Sequence, residues 1–154
     1  MRKGFTFIEI MIVMVVTMTL LTLATISLIS LQQHTLTDTS LEKLLSDIKF
    51  QQIQAMNGAG SAQKFGIHFD TSAYTLFSGD TYLVSDPSNF VVTLDGGITI
   101  SSVTFPQSEI IFEKGSGEVE GFIEGSNTVS LYDSSGGGTV IVTLNKLGVV
   151  TQIQ

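Results

Sequence analysis

From Ile10 to Leu31 the chain runs for 22 consecutive residues without a formal charge. No other feature limits so strongly what the chain can fold into. As a helix rising 1.5 Å per residue the run is about 33 Å long, enough to cross a hydrocarbon core of about 30 Å. Six of its residues are hydroxylic: Thr17, Thr19, Thr22, Thr25, Ser27 and Ser30. Such hydroxyls bond back to carbonyls of the preceding turn, so they do not forbid insertion. Arg2 and Lys3 precede the run, and after it come His34 and Asp38 with no basic residue until Lys43. The positive-inside rule then places the N-terminus in the cytoplasm and the C-terminal part outside. A secretory signal peptide has a shorter apolar stretch and a small-x-small cleavage site. Ala24-Thr25-Ile26-Ser27 fits that pattern poorly, and the apolar run continues to Leu31. A plain signal anchor accounts for the hydropathy.

It does not account for Glu9. A carboxylate just inside an apolar helix is expensive unless it has a partner. The segment Gly4-Phe5-Thr6-Phe7-Ile8-Glu9 resembles the prepilin cleavage and methylation motif of type IV pilins and secretion pseudopilins. The context matches as well: a basic leader, a glycine, an aromatic residue, an acid four residues later and a full span. The resemblance implies a membrane peptidase that cuts after Gly4 on the cytoplasmic side and methylates the new N-terminus at Phe5. It also implies that Glu9 is a buried acid paired with the Phe5 amine of a neighbouring subunit. A glycine at position 4 suits cleavage because it lets the backbone enter a protease site extended.

Beyond Leu31 the sequence turns polar but keeps a helical period. Leu41, Leu44, Leu45, Ile48, Ile53 and Met56 approximate an i, i+3, i+4 stripe, widened by Ala55. Glu42, Lys43, Asp47, Lys49 and the glutamines fall mostly on the other side. Neither Pro nor Gly interrupts the chain from Phe5 to Asn57, and Gly58 and Gly60 mark a stop. Many type IV pilins have a helix-breaking proline in the membrane half; this chain has Ile26 and Ser27 in that region.

From Lys64 the period changes to two. Phe65, Ile67 and Phe69 alternate with Gly66 and His68, Thr71-Ser72 makes a turn, and Tyr74 and Leu76 continue on a partner strand. Further strands are expected at Tyr82–Val84, Phe90–Leu94, Ile98–Phe105, Ile110–Phe112, Val129–Tyr132, Val140–Leu144 and Val149–Ile153. Turn signals separate them: Asp86-Pro87-Ser88-Asn89, Asp95-Gly96-Gly97, Gly115-Ser116-Gly117 and Ser134 to Gly138. The expected fold class is α+β: a long N-terminal helix, membrane-spanning in its first half, packed on a small antiparallel β-sheet domain. The expected division is a leader at 1–4, a transmembrane helix at 5–31, its amphipathic continuation at 32–57 and a β-rich globular domain at 58–154.

The order of elements resembles the GspH/FimT family of minor pseudopilins and minor pilins. Phe65-Gly66-Ile67-His68-Phe69-Asp70 with Tyr74 after it is similar to that family's first hairpin. Ile111-Phe112 followed by Gly115 is similar to its later strand and turn, and Leu147-Gly148-Val149-Val150 to its final turn and strand. Competence-linked members have a basic C-terminal region tied to DNA binding. The tail Thr151-Gln152-Ile153-Gln154 is uncharged, so that role does not carry over.

The charge balance, 14 acidic against 7 basic side chains, points the same way. A nucleic-acid binder displaces phosphate counterions with a basic patch, whereas Lys43, Lys49, Lys64, Lys114 and Lys146 are scattered. No nucleic acid is expected as a partner. There is no cysteine, hence no disulfide and no thiolate metal site. His34 and His68 are the only histidines; His34 lies just outside the span, and His68 is expected to face solvent from its strand. Zinc needs three or four clustered ligands, and the spacing supplies none. Gly136-Gly137-Gly138 has no following lysine and reads as a hairpin rather than a phosphate cradle. Glu113, Glu118, Glu120 and Glu124 form the densest acidic group; it reads as a solvated loop, with calcium binding together with Asp133 or a charged docking surface as alternatives. No nucleophile elbow occurs, and no enzymatic activity, cofactor or metal is expected.

The resemblance therefore implies a minor subunit of a type II secretion pseudopilus or a type IV pilus, docked at or near the filament tip. Its expected partners are other pilin or pseudopilin subunits, prepilin peptidase, an inner-membrane assembly platform and membrane lipid. Its expected location is the cytoplasmic membrane as a single-pass protein, with the β domain in the periplasm or at the cell surface. The alternative is a single-span surface-binding or adhesive module that never polymerises. Cleavage by prepilin peptidase separates the two.

Overall fold

The computed structural model describes residues 4, 6–58, 64–94, 97–134 and 137–154, with the side chains of 24–38 excepted. Phe5, the leader residues Arg2 and Lys3, Gly60 and the side chain of His34 lie outside the described residues. The chain divides into two compact units, Met1–Thr35 and Leu36–Gln154. The fold is α+β. One helix, α1 (Phe7–Asn57), is followed by eight strands: β1 (Phe65–Phe69), β2 (Ala73–Ser78), β3 (Phe90–Thr93), β4 (Ile98–Val103), β5 (Glu109–Phe112), β6 (Thr128–Asp133), β7 (Thr139–Leu144) and β8 (Val150–Ile153). A short 3-10 turn at Pro106–Ser108 precedes β5.

In the unit 36–154 the strands form two antiparallel sheets of four strands each. Sheet A has the order β3-β2-β1-β5 and sheet B the order β4-β6-β7-β8. The β1–β2 hairpin forms as the alternation predicts, pairing Phe69 with Tyr74 and Ile67 with Leu76. The Asp70 amide donates to the Ala73 carbonyl (2.9 Å) to close it. β4 stops at Val103, short of the expected Phe105, after a register shift between Ile100 and Ser102. One apolar core joins both sheets to the helix: Leu44, Ile48 and Ala55 from α1 meet Ile67, Tyr74 and Phe112 of sheet A and Val129, Leu131, Val142 and Leu144 of sheet B.

The buried face of α1 differs from the expected stripe. Ser40, Leu44, Ile48, Gln51, Gln52 and Ala55 are buried, with Leu41 and Leu45 beside them, whereas Ile53 and Met56 are exposed. At about 100° per residue Ile53 points roughly 140° away from Ile48, while Gln52 is only about 40° away. Geometry therefore gives the interior places to two glutamines. Gln51 Nε2 donates to the carbonyls of Gly66 (2.8 Å) and Phe77 (3.3 Å). Gln52 Nε2 donates to those of Gly117 (3.0 Å) and Leu147 (2.6 Å). Each amide satisfies backbone acceptors that burial would otherwise strand. The helix ends as predicted at Gly58, whose φ of 58° lies in the left-handed region that glycine adopts freely. The Ala55 carbonyl accepts there from the Gly115 amide at 2.9 Å.

The expected strand at Tyr82–Val84 does not form. That stretch belongs to the irregular connection between β2 and β3. The Leu83 carbonyl is used within the connection, accepting from the Asp86 amide (3.0 Å) and from Asn89 Nδ2 (2.8 Å). The Tyr82 amide donates to Glu109 Oε2 (3.4 Å). With those groups committed, no ladder partner remains for them.

Candidate functional site

The N-terminal unit carries the residues singled out in the sequence. Gly4 is exposed, with no heavy atom within 4 Å of the place a Cβ would occupy. Thr6 precedes the first helical residue, and Thr6 and Glu9 form a capping box. The Thr6 amide donates to Glu9 Oε2 (3.0 Å), and the Thr6 hydroxyl donates to the same oxygen (2.9 Å). In return the Glu9 amide donates to Thr6 Oγ1 (3.4 Å). Glu9 is thus not without a partner in the single chain: the orphan amides of the helix start supply one. No cation forms an ion pair with it among the described residues. Thr6 is the residue that sequence reasoning missed; the spacing Thr-x-x-Glu ahead of an apolar run is the signal that reveals it.

Past the cap, every large apolar side chain from Phe7 to Leu23 is exposed, from 49% at Ile10 to 79% at Phe7. A contiguous apolar surface of this kind marks contact with lipid or with other protein. The threonine hydroxyls are already satisfied. Thr17 bonds the carbonyls of Val13 (2.9 Å) and Met14 (3.0 Å), Thr19 those of Val15 (3.1 Å) and Val16 (2.8 Å), and Thr22 that of Met18 (2.9 Å). Each of these hydroxyls therefore has a helical acceptor, as a polar group in an apolar surrounding needs. Among the described residues no helix is long and apolar enough to cross a membrane. The described side chains of this stretch end at Leu23; from Phe7 that is about 26 Å of helix, short of a hydrocarbon core of about 30 Å. The rest of the expected span, at 24–31, has its side chains outside the described residues.

The other sequence candidates lie in the unit 36–154. His68 does not stand free in solvent. It faces away from the core, as alternation requires, but its ring stacks on Tyr82 with centroids 4.1 Å apart. Its Nδ1 lies 3.3 Å from Glu109 Oε1 and its Nε2 3.8 Å from Asp70 Oδ1. Glu109 is buried and ties the β2–β3 connection to sheet A through Thr81 and Tyr82. The role of this cluster is to hold that connection down. The acidic group is likewise organised rather than merely solvated. Lys64 Nζ binds Glu120 and lies 3.8 Å from Glu113 and 3.6 Å from Asp80. The Glu120 hydrogen bond, followed by its charge and those of Glu113 and Asp80, holds the Lys64 ammonium above the ordinary lysine range. Glu118 pairs with Lys146 at 3.3 Å. No group of three or more acidic or histidine side chains is arranged to hold a metal ion among the described residues.

Comparison with curated proteins and with solved structures gives no match. A family model does match: residues 1–25 fit the prokaryotic N-terminal methylation motif. That stretch contains Gly4, the Thr6–Glu9 capping box and the start of the uncovered apolar helix. By this motif the chain bears the prepilin-type signature of type IV pilins and pseudopilins.

Proposed function

We propose that the chain is a minor pilin-like subunit, of the GspH/FimT kind, that assembles into a type II secretion pseudopilus or a type IV pilus. The observation that carries this reading is the methylation motif at residues 1–25 lying on a helix whose apolar surface has no cover within its own unit. The signature goes with membrane anchoring at the N-terminus, processing by prepilin peptidase and assembly with other pilins. In this reading the peptidase removes residues 1–4, Phe5 becomes the methylated first residue, and residues 5–31 span the cytoplasmic membrane until the subunit is extracted. The β domain then docks outside, at or near the filament tip. The peptidase, the assembly platform and any motor are other proteins; the chain itself acts by packing.

The capping box refines the part played by Glu9. Before assembly the carboxylate is held by Thr6, which offsets the penalty of placing it in an apolar segment. In the filament the freed amine of Phe5 on a neighbouring subunit offers a full positive charge, and a salt bridge between two opposite charges outcompetes a carboxylate held by neutral donors. The experiment is a Glu9→Ala variant. We expect it to insert into the membrane as the parent does but to fail to enter filaments. Incorporation at the parent level would refute the pairing.

A further inference from the structure

In the unit 36–154 a groove of about 490 Å³ opens where α1 passes the β2–β3 end of sheet A, a size typical of small-ligand sites. Aromatic side chains from three elements reach it: Phe50 of α1, Phe65 of β1 and Phe90 of the edge strand β3. Phe50 is 51% and Phe90 64% exposed, so neither is spent on the core. The polar side of the groove is made by Asp47. Tyr74 Oη donates to Asp47 Oδ2 at 2.6 Å, which fixes the carboxylate and leaves Oδ1 to accept. Both amide hydrogens of Gln51 are committed to the carbonyls of Gly66 and Phe77, so that residue has only an acceptor left to offer. The remaining polar groups, on Gln54, Ser78 and Ser88, are neutral. No lysine lines the groove, and Asp47 makes no ion pair among the described residues.

We propose that this groove binds an arginine side chain presented by another protein. Aromatic faces beside a fixed carboxylate suit a planar, weakly hydrated cation, which stacks on the rings while its fork of N–H donors meets the acceptors. An apolar occupant would strip water from Asp47 without replacing its hydrogen bonds, and an acidic one would be repelled. The unit 36–154 holds 13 acidic side chains against 5 lysines, a field that draws basic partners in. The partner is not a second copy, because the only arginine in the chain is Arg2, within the basic segment that the filament reading removes. The inference otherwise stands on the unit 36–154, and its failure leaves the reading of the N-terminus untouched.

The test uses the full chain in detergent micelles with ring-labelled phenylalanine, followed by NMR. The probes are a capped Gly-Arg-Gly peptide, the same peptide with citrulline in place of arginine, and free L-arginine. The arginine peptide should shift the Phe50, Phe65 and Phe90 signals saturably, and citrulline should bind about tenfold more weakly or worse, having lost the charged hydrogen bonds. Free L-arginine should also bind more weakly, because it lacks the flanking peptide and brings an α-carboxylate into the acidic field of the unit. Asp47→Asn keeps an acceptor for Tyr74 and should lower affinity about tenfold. Phe90→Ala, at an exposed site, should lower it about threefold with the fold intact. Equal binding of the citrulline peptide, unmoved phenylalanine signals, or an Asp47→Asn variant that binds as the parent does would overturn the proposal. Free arginine binding as tightly as the peptide would overturn a protein as its source.

Discussion

Replacing Gln52 with methionine tests how α1 is locked to the domain it serves. The substitution conserves volume and removes only the amide. Two backbone carbonyls then lose their donor: Gly117 at 3.0 Å, from the turn after β5, and Leu147 at 2.6 Å, from the turn between β7 and β8. Gln52 is 3% exposed, so water does not readily replace it. Each stranded carbonyl costs about 1–3 kcal/mol. The methionine recovers about 1 kcal/mol through burial of apolar surface, so for the two carbonyls together the net loss is about 1–5 kcal/mol. For a unit of this size that lowers Tm by about 4–20 °C. The assay is thermal unfolding of the full chain in micelles, read in the near-UV tyrosine signal. Gly148→Ala serves as the partner variant, since an added Cβ there would meet Gln52 Nε2 at 2.5 Å and Phe112 Cε1 at 2.8 Å. At φ 70° the alanine is strained as well. Because both changes displace the same amide, the double variant should lose less than the sum of the two. A Gln52→Met protein as stable as the parent, or more so, would refute the account, and so would strict additivity with Gly148→Ala.

Leu44→Ala should cost about 2–5 kcal/mol, since the side chain is fully buried between the sheets and the helix, whereas Ile53→Ala should stay within about 0.5 kcal/mol; urea unfolding of both variants measures the difference. Thr6→Val removes the hydroxyl that accepts from the Glu9 amide. It should weaken the helix start by about 1 kcal/mol and speed exchange of that amide about fivefold, with unchanged exchange as the contrary result.

The sequence revealed the parts of the fold that local chemistry dictates. The uncharged run, the stop at Gly58 and the β1–β2 hairpin with its turn at Thr71-Ser72 can all be read from neighbours in the chain. The misreadings share a cause. Gln51 and Gln52 belong inside only because carbonyls 15 to 95 residues away come to meet them, and a hydropathy period counts both as surface. Tyr82 has the β-propensity of a strand residue, yet it lies flat on His68 because Glu109, from a distant strand, holds its amide. The order of strands in the two sheets is a long-range outcome that local patterns do not carry. At the N-terminus the signal is wholly local: the spacing Thr6-x-x-Glu9 spells a capping box, so the same carboxylate that is costly in an apolar segment also caps the helix.

The most direct measurement is the mass of the N-terminal peptide after membranes containing the full chain are incubated with prepilin peptidase and a methyl donor. The account predicts a chain that begins at Phe5 with a methylated amine and has lost Met1 to Gly4. A chain that still begins at Met1 under conditions where a control prepilin is fully processed would contradict it.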